Sequence, residues 1–240
     1  MVQTPNANIL IDAGFGYRAT VQRLALCGLT VQDISAIVVT HEHSDHIYAL
    51  PQFAKYSRAM VFVPFPALIF VAQQCFCSNI QGVNGPFLIS DVRVDVYQCS
   101  HDARACFGYR FTTEDDCVAS VTDTGFASQE LTQFLSPCRA IMLESNHDIA
   151  MLENGNYPYF LKQRISSSVG HLSNDQCAEV LKSLVGTNVQ SVVLAHLSQQ
   201  NNLAELAMET AVRALSGKGI VVGKDMLLYV ADQYKNEVTL

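Results

Sequence analysis

The sequence predicts an α/β (α+β) fold in which β-sheets are flanked by helices, and three observations support this prediction. First, 49% of the 240 residues are hydrophobic and 15% are charged, which is typical of a folded enzyme with a large core. Second, segments with strand and helix periodicity interleave along the chain. Third, some predicted strands follow each other without a helix between them, which argues against a doubly wound parallel sheet. No linker is evident, so we predict a single domain over residues 1–240.

The first half of the chain alternates between apolar runs that predict buried strands and segments with helical spacing. The continuous run from Ala36 to Thr40 is rich in β-branched residues, as expected for a strand covered on both faces. The first predicted helix stops at Gly28, which is typical of a helix end. The predicted strands are 8–12, 36–40 and 60–63, and the predicted helices are 18–26, 45–56 and 67–77.

The second half begins with short segments of alternating polarity, which predict strands with one exposed face. Ser173 and Gln176 have the spacing of a capping box and predict a helix start directly after them. The predicted strands are 92–96, 107–111, 118–121, 140–143, 191–195 and 226–230, and the predicted helices are 129–135, 177–184 and 203–215.

The charge and the hydropathy pattern exclude some classes of protein. The formal net charge is −7 and no run of Lys or Arg occurs, so the composition does not encode a broad basic surface for a polyanion. A nucleic acid would have to be held by local features and by bound cations. The N-terminus lacks a basic region followed by an apolar run, and the most apolar segment, 60–72, is too short to span a bilayer. We therefore expect a cytoplasmic protein without a membrane partner; no pattern indicates its oligomeric state.

The eight cysteines are interpreted as reduced thiols. The sequence has no CxxC pair, and five of the cysteines lie in apolar stretches, which is typical of buried thiols in a cytoplasmic protein. Cys75 and Cys77 form the only close pair, and they lie in a predicted helix. This placement does not favour a thiolate metal site.

The segment that indicates chemistry follows the buried strand 36–40. Three imidazoles and two carboxylates occur within the six residues from His41 to His46. In a tight loop, His41 and His43 alternate to one side and converge on one cation, while Asp45 and His46 bind a second cation beside it. Imidazole and carboxylate ligands suit zinc, and also iron or manganese. A merely solvated polar loop is the alternative, but the flanking segments are too apolar for it.

One loop cannot complete two metal sites, so other strand ends must supply further ligands. His101, Asp123 and His196 each follow a predicted strand. Strand ends of an α/β scaffold meet at a common rim, which is the expected place for a site. A single His or Asp at a strand end is more often a cap or a surface residue, but together with the loop these three form a consistent set.

With these residues in place, the chain resembles the metallo-β-lactamase superfamily, and within it the bacterial YycJ/WalJ/VicX-type branch. The resemblance covers nearly the whole chain, and the segments 144–148 and 170–174 are the ones specific to this branch. The matching segments are 10–14, 40–46, 100–103, 123–125, 144–148, 170–174 and 195–198.

The resemblance implies a four-layer αββα sandwich and two metal sites with three ligands each. The implied ligands are His41, His43 and His101 for one metal and Asp45, His46 and His196 for the other, with Asp123 bridging both. Members of the family begin with a further strand and a Gly/Ser-rich loop ahead of the segment that matches Met1 to Asn8. The fold is therefore expected to lack its first N-terminal strand, either because the start is truncated or because that strand is dispensable.

Two adjacent divalent cations polarise a scissile group and lower the pKa of a bridging water, which supplies hydroxide near neutral pH. Asp45 is the expected group to orient that hydroxide. Glu144 and His171 are candidates for the proton donor to the leaving oxygen, and similarity to RNA-processing members suggests the same pair. His147 is an alternative donor or a phosphate ligand. Both histidines also fit a supporting role behind the metal ligands.

Phosphodiester cleavage is the reaction class that these features favour. His171 precedes a helix whose amides would attract phosphate, and Lys162 and Arg164 would add local positive charge. The resemblance implies a nuclease with exonuclease action, on DNA rather than RNA. The alternative is a small-molecule hydrolase of the same fold that acts on a thioester, a lactone or a cyclic phosphodiester. A secreted β-lactamase, a diiron redox enzyme and a regulatory protein without turnover fit the residues less well.

Overall fold

The computed structural model describes residues 1–231 of the chain, which divides into two compact units. The first unit contains Met1–Gln98 and Ala103–Thr113, and the second contains Cys99–Asp102 and the described residues from Glu114 onward. The chain therefore crosses between the units around the segment that carries His101. The single domain expected from the sequence stays a prediction.

The first unit contains a five-stranded sheet in the order β1-β2-β3-β4-β5. The edge strand β1 is antiparallel to β2, and the other neighbours are parallel. These strands are β1 Val2–Gln3, β2 Asn8–Ile11, β3 Ala36–Val38, β4 Met60–Pro64 and β5 Ile80–Val83. The helices of this unit are α1 Tyr17–Leu26, α2 Ser44–Ile47, α3 Leu50–Tyr56 and α4 Leu68–Cys75.

The first unit also contains an antiparallel series of three strands, β6 Phe87–Ile89, β7 Val92–Gln98 and β8 Phe107–Thr112. Tyr109 of β8 is completely buried, and its hydroxyl donates to the carbonyl oxygen of Val39 over 2.7 Å. Burying that hydroxyl without a partner would be costly, so this hydrogen bond holds the residues just after β3 in one position.

The second unit contains four strands that pair in parallel in the order β9-β10-β11-β12. They are β9 Cys117–Val121, β10 Ala140–Glu144, β11 Ser191–Ala195 and β12 Leu227–Val230. Because parallel strands end at the same edge, the residues that follow β9, β10 and β11 come together there. The helices are α5 Gln129–Leu135, α6 Ile149–Asn154, α7 Tyr159–Ile165, α8 Asn174–Ser183 and α9 Ala204–Ser216.

The predicted helix over 45–56 is wrong as a single element, because the structure has α2 and α3 with a break at Tyr48 and Ala49. The break has a physical reason. The amide of Ala49 donates to the carbonyl oxygen of Ala13 over 2.7 Å, so it is used outside the helix. Pro51 then occupies the first turn of α3, where a missing amide hydrogen is tolerated.

The sequence analysis missed strands β1, β5 and β6 and helices α6 and α7. The signals for the two helices were present in the sequence. Asp148 caps α6 by accepting from the amide of Met151 over 2.8 Å, and Pro158 is the N-cap of α7. The other predicted elements are confirmed, with ends that shift by a few residues.

The sequence-based expectations about membrane-spanning helices and about disulfides concern features that the structure describes over residues 1–231. No helix among residues 1–231 has the length and the apolar character needed to cross a bilayer. All eight cysteines lie in the described part of the chain, and no disulfide is present there. Burial raises the pKa of Cys75 to about 11 and that of Cys177 to about 12, so these two thiols stay protonated at neutral pH.

Candidate active site

The predicted histidine loop of the first unit follows β3 and leads into α2. His41 is completely buried and His46 nearly so, whereas the side chain of Asp45 is 70% exposed. The Nε2 atom of His41 and the Nδ1 atom of His43 lie 3.0 Å apart, which is a spacing compatible with two ligands of one cation. The loop thus brings together His41 and His43, and separately Asp45 and His46, whose side chains approach to 3.6 Å.

Asp12 orients this loop, and the sequence analysis had not assigned it a role. Its Oδ1 accepts the amide of Thr40 over 2.7 Å, and its Oδ2 accepts the Thr40 hydroxyl over 2.9 Å. The same Oδ2 lies 2.7 Å from Nδ1 of His46, so that nitrogen carries the proton and Nε2 remains a metal donor. Its position directly after the buried strand β2 is the signal that would have identified Asp12.

Gly14 allows the turn after β2 to approach the histidine loop. A Cβ atom at this position would collide with the carbonyl oxygen of Asp45 and lie 2.9 Å from Cα of His46. In the same contact the amide of Ala13 donates to the carbonyl oxygen of His46 over 2.8 Å. Backbone approach at this distance requires glycine, so Gly14 supports the geometry of the loop.

Glu144 is the centre of the cluster in the second unit. It is 0% exposed and accepts four hydrogen bonds, two from backbone amides and two from imidazoles. Its Oε2 accepts the amides of Thr124 and Leu172 over 3.0 and 3.1 Å. Its Oε1 lies 2.8 Å from Nδ1 of both His171 and His196. Glu144 therefore fixes the orientation and the tautomer of both rings.

The electrostatics of Glu144 keep it ionised. Burial alone would raise its pKa, but the hydrogen bonds from His171 and His196 outweigh burial and hold the pKa well below its usual range. A carboxylate that stays ionised and accepts at both oxygens has no proton to donate near neutral pH. Of the predicted pair, the geometry leaves His171 as the group able to hold a transferable proton.

The donor set of the second unit fits a divalent cation. One ligand atom from each of Asp123, Glu144, His171 and His196 lies within 4.8 Å of the others. The Nε2 atom of His196 is 3.4 Å from Oδ1 of Asp123, and Asp123 is buried. Since its Nδ1 donates to Glu144, His196 presents the lone pair of Nε2 toward Asp123. Half-buried imidazoles beside buried carboxylates are donors that zinc, manganese and iron take.

His101 is held by the chain segment that follows α7. Its Nδ1 lies 3.1 Å from the carbonyl oxygen of Gly170, and its Nε2 lies 3.9 Å from Oδ1 of Asp123. The neighbouring Asp102 forms a bidentate ion pair with Arg164, over 2.5 and 3.0 Å. His101 and Asp123 thus approach each other within the second unit.

The two residues that the sequence offered as local positive charge both have partners within the fold. Arg164 is paired with Asp102, and the ammonium of Lys162 donates to the carbonyl oxygen of Glu153 over 2.7 Å. Both side chains keep their positive charge, so a contribution of that charge at the substrate stays a prediction.

The start of α8 is not the anion site that the sequence suggested. The amide of Leu172 donates to Glu144, and the amide of Ser173 donates to Oε1 of Gln176 in the predicted capping box. The amide of Asn174 donates to the carbonyl oxygen of His147 over 2.9 Å. With these donors used inside the protein, the helix start positions His171 and is not arranged to bind phosphate.

A buried amide network connects the loops of the second unit, and the sequence analysis missed it. The side chains of Asn174 and Asn202 bond each other over 2.9 Å, and Asn202 also donates to the carbonyl oxygen of Ser145 over 2.9 Å. Asn146 donates to the carbonyl oxygen of His196 over 2.8 Å. Satisfied buried networks of this type specify one arrangement of a site.

Comparison with known proteins identifies the class. The family model described as "Beta-lactamase superfamily domain" matches residues 7–197 of the chain. The chain therefore belongs to the metallo-β-lactamase superfamily. Among its relatives it is 33% identical to "Exodeoxyribonuclease YycJ" of Bacillus anthracis, over 96% of this chain and 89% of the relative. It is 32% identical to "Exodeoxyribonuclease WalJ" of Streptococcus pneumoniae serotype 2, over 95% and 87%.

Solved structures agree with this assignment. The chain resembles the metallo-β-lactamase fold protein YhfI from Bacillus subtilis with a TM-score of 0.70 and 14% identity, covering 95% of this chain and 86% of that one. The predicted fold class, two sheets flanked by helices in an αββα sandwich, is confirmed. The family and the clustered His and Asp residues support a metal-dependent hydrolase.

Proposed function

We propose that this protein is a phosphodiesterase of the DNA exonuclease type that uses two divalent cations. The observation that carries the proposal is the cluster around Glu144, where one buried carboxylate orients His171 and His196 beside Asp123. A metal-donor set with an adjacent oriented imidazole suits cleavage of a phosphodiester. The names of the exodeoxyribonuclease relatives support DNA as the substrate.

The proposed metal ligands are those that the family pattern assigns. His41, His43 and His101 would hold one cation, Asp45, His46 and His196 would hold the other, and Asp123 would be shared by both. The orientation of the rings within each unit supports this assignment, because His46 and His196 each donate Nδ1–H to a carboxylate and keep Nε2 for a metal. Zinc and manganese suit these ligands best, and iron is also compatible.

The residues of the chain have distinct parts in the proposed reaction. Bound divalent cations supply positive charge at the phosphodiester and lower the pKa of the attacking water. The exposed carboxylate of Asp45 accepts a hydrogen bond from that water and orients it. His171 donates Nδ1–H to Glu144, so its protonated ring presents Nε2–H to the leaving oxygen. Glu144 acts as a positioning residue through His171 and His196.

The net charge of −7 sets a condition on the substrate. Without a basic surface, the phosphates of DNA must be attracted mainly by the bound cations. Long-range steering by the protein is therefore weak. We expect affinity for DNA that depends strongly on the metal and less on ionic strength than in proteins that neutralise many phosphates with Lys and Arg.

The test is hydrolysis of fluorescent double-stranded DNA, single-stranded DNA and RNA by protein reconstituted with manganese or zinc. We expect metal-dependent release of nucleotides from DNA ends, and Asp45→Ala should reduce the rate at least about a hundredfold. Because Asp45 is exposed, the variant should unfold at the same urea concentration as the wild type. Asp115→Ala, also an exposed carboxylate, is the control that should retain activity.

Failure to cleave any polymer by protein that holds two metals per chain would contradict the nuclease proposal. It would then favour the small-molecule hydrolase. Metal content measured by mass spectrometry ensures that a negative result is not due to unloaded protein.

A further inference from the structure

The second unit contains a cavity that the proposed reaction does not use. It lies between α6, α7 and the start of α8 and has a volume of about 590 Å³. Cavities of roughly 300–1,000 Å³ are typical of sites for small organic ligands. Its lining includes Ile149, Leu152 and Tyr159, together with the polar side chains of His147 and Gln163.

The walls of the cavity suit a flat ring. Tyr159 is 75% exposed, and its hydroxyl accepts from Nε2 of Gln163 over 2.8 Å, which holds the ring at the cavity. The aliphatic side chains of Ile149 and Leu152 complete the apolar wall. An aromatic ring beside apolar side chains is the usual platform on which a nucleobase stacks.

His147 provides the polar group of the cavity. It is 2% exposed, and within residues 1–231 its Nδ1 atom has no hydrogen-bond partner. A buried nitrogen without a partner is unfavourable for the fold, and it makes this wall of the cavity polar. Burial lowers the pKa of His147 to about 4, so the ring is neutral at pH 7 and matches an uncharged ligand.

The charges around the cavity disfavour a phosphate. Glu153 and Asp175 are part of the lining, and the single cation, Lys162, donates to the carbonyl oxygen of Glu153. Two carboxylates near one engaged ammonium repel a dianion. The uncharged part of a nucleotide, its base, is therefore the part that fits.

Two short segments connect the cavity to the cluster around Glu144. His147 lies three residues after Glu144, and Ser173, also in the lining, lies two residues after His171. His147 and Ser173 form a parallel β-bridge, so the two segments run side by side. Asn146 contacts His196, and the side chain of the following residue, His147, lines the cavity.

We propose that this cavity binds the base of the strand-terminal nucleotide, with Tyr159 stacking on the base and the polar residues of the lining at its edge. The proposal rests on the proposed function in that the bound nucleotide is the one whose phosphodiester is cleaved. Base binding would place the terminal phosphodiester at the cluster and would explain a preference for strand ends.

The first test is binding of the four deoxynucleoside monophosphates, with 2-deoxyribose 5-phosphate as the probe that lacks a base. Calorimetry on the manganese-loaded protein should give an affinity for the nucleotides about tenfold higher than for the sugar phosphate. Tyr159→Ala should abolish this difference and Tyr159→Phe should retain it. Phe160→Ala removes a neighbouring aromatic ring, 72% exposed and outside the cavity lining, and should have no effect.

Equal affinity for the nucleotides and for the sugar phosphate would overturn the cavity proposal. Equal losses of nucleotide affinity in Tyr159→Ala and Phe160→Ala would overturn it as well.

The second test compares cleavage of strands that end in a normal or an abasic nucleotide. The wild type should cleave the abasic end about tenfold more slowly, and Tyr159→Ala should cleave both at the slower rate. Base-dependent binding without any cleavage would refute the nuclease function but keep the cavity assignment, so the two failures are distinguishable.

Discussion

Two carboxylates orient histidine rings in this protein, Asp12 in the first unit and Glu144 in the second, and they do so in different environments. Asp12 is half-buried and accepts from one amide, one hydroxyl and one imidazole of a single loop. Glu144 is completely buried and accepts from two amides and two imidazoles that come from three separate segments, around Thr124, His171–Leu172 and His196.

The difference shows two ways to position metal donors. In the first unit the donors are neighbours in sequence, so the loop itself determines most of the geometry and Asp12 adds the final orientation. In the second unit the donors are far apart in sequence, and a single buried charge holds them together. A buried carboxylate is stable when all its hydrogen-bond donors are present. Removing either the carboxylate or its donors leaves the remaining polar groups buried without a partner. The second region should therefore be more sensitive to substitution.

The largest effect is expected for Glu144→Gln. The side-chain amide of Gln places an NH2 donor where two imidazoles and two backbone N–H groups already donate. We therefore expect a loss of about 3 kcal/mol in the free energy of unfolding. Metal affinity should fall about a hundredfold, because His171 and His196 lose their acceptor. Urea unfolding and metal titration measure the two effects. Glu209→Gln, in an exposed part of α9, is the control, and equal stability of the two variants would contradict the central role of Glu144.

A smaller effect is expected for Asp12→Asn. Asn tolerates the positive φ of 57° at this position and keeps one acceptor oxygen, so the backbone should be retained. We expect a loss of about 1 kcal/mol in stability and about tenfold in metal affinity, from the weaker hold on His46. A loss as large as that of Glu144→Gln in both measurements would remove the distinction between the two regions.

Two groups of the second unit, Glu144 and His147, should make the metal-free protein sensitive to acid. The pKa of Glu144 is lowered in the folded state, so its stabilisation is present above about pH 4.5 and is lost as the pH falls below that value. His147, with a pKa of about 4 in place of 6.5, reduces stability as the pH falls from 6.5 toward 4. Urea unfolding at several pH values should therefore show a weaker pH dependence in His147→Gln between pH 6.5 and 4. If the pH dependence of unfolding is the same in His147→Gln as in the wild type, the His147 ring is not buried in its neutral form.

The smallest effect is expected for Arg164→Lys. The ion pair with Asp102 is half-exposed, so its loss should cost only about 0.5 kcal/mol after screening by solvent. Metal affinity should change by no more than a few-fold, because His101 is also held by Gly170. Arg139→Lys removes a similar bidentate pair with Asp116, away from the site, and provides the control. A large loss of metal in Arg164→Lys alone would show that the ion pair fixes His101.

The sequence predicted the histidine loop because its donors are contiguous and follow a recognisable buried strand. It also predicted that His101, Asp123 and His196 lie at strand ends, since the strands before them have clear apolar patterns. It did not predict the hydrogen bonds of Glu144 or Asp12. A carboxylate beside a strand end is common, and only the packing of other segments decides what it accepts. For the same reason the sequence did not predict the bond of Lys162 to the carbonyl oxygen of Glu153 or the ion pair of Arg164 with Asp102.

By itself, the sequence determined the fold class, the positions of most strands and helices, and the residues that we propose as metal ligands. These depend on local periodicity, on capping and on the spacing of chemical groups along the chain. Only the tertiary structure decided that Glu144 is a buried acceptor, that the start of α8 is already satisfied, and that His147 lines a cavity. These properties depend on which atoms meet after distant segments pack, because burial and hydrogen bonding between such segments are not encoded at any one position of the chain.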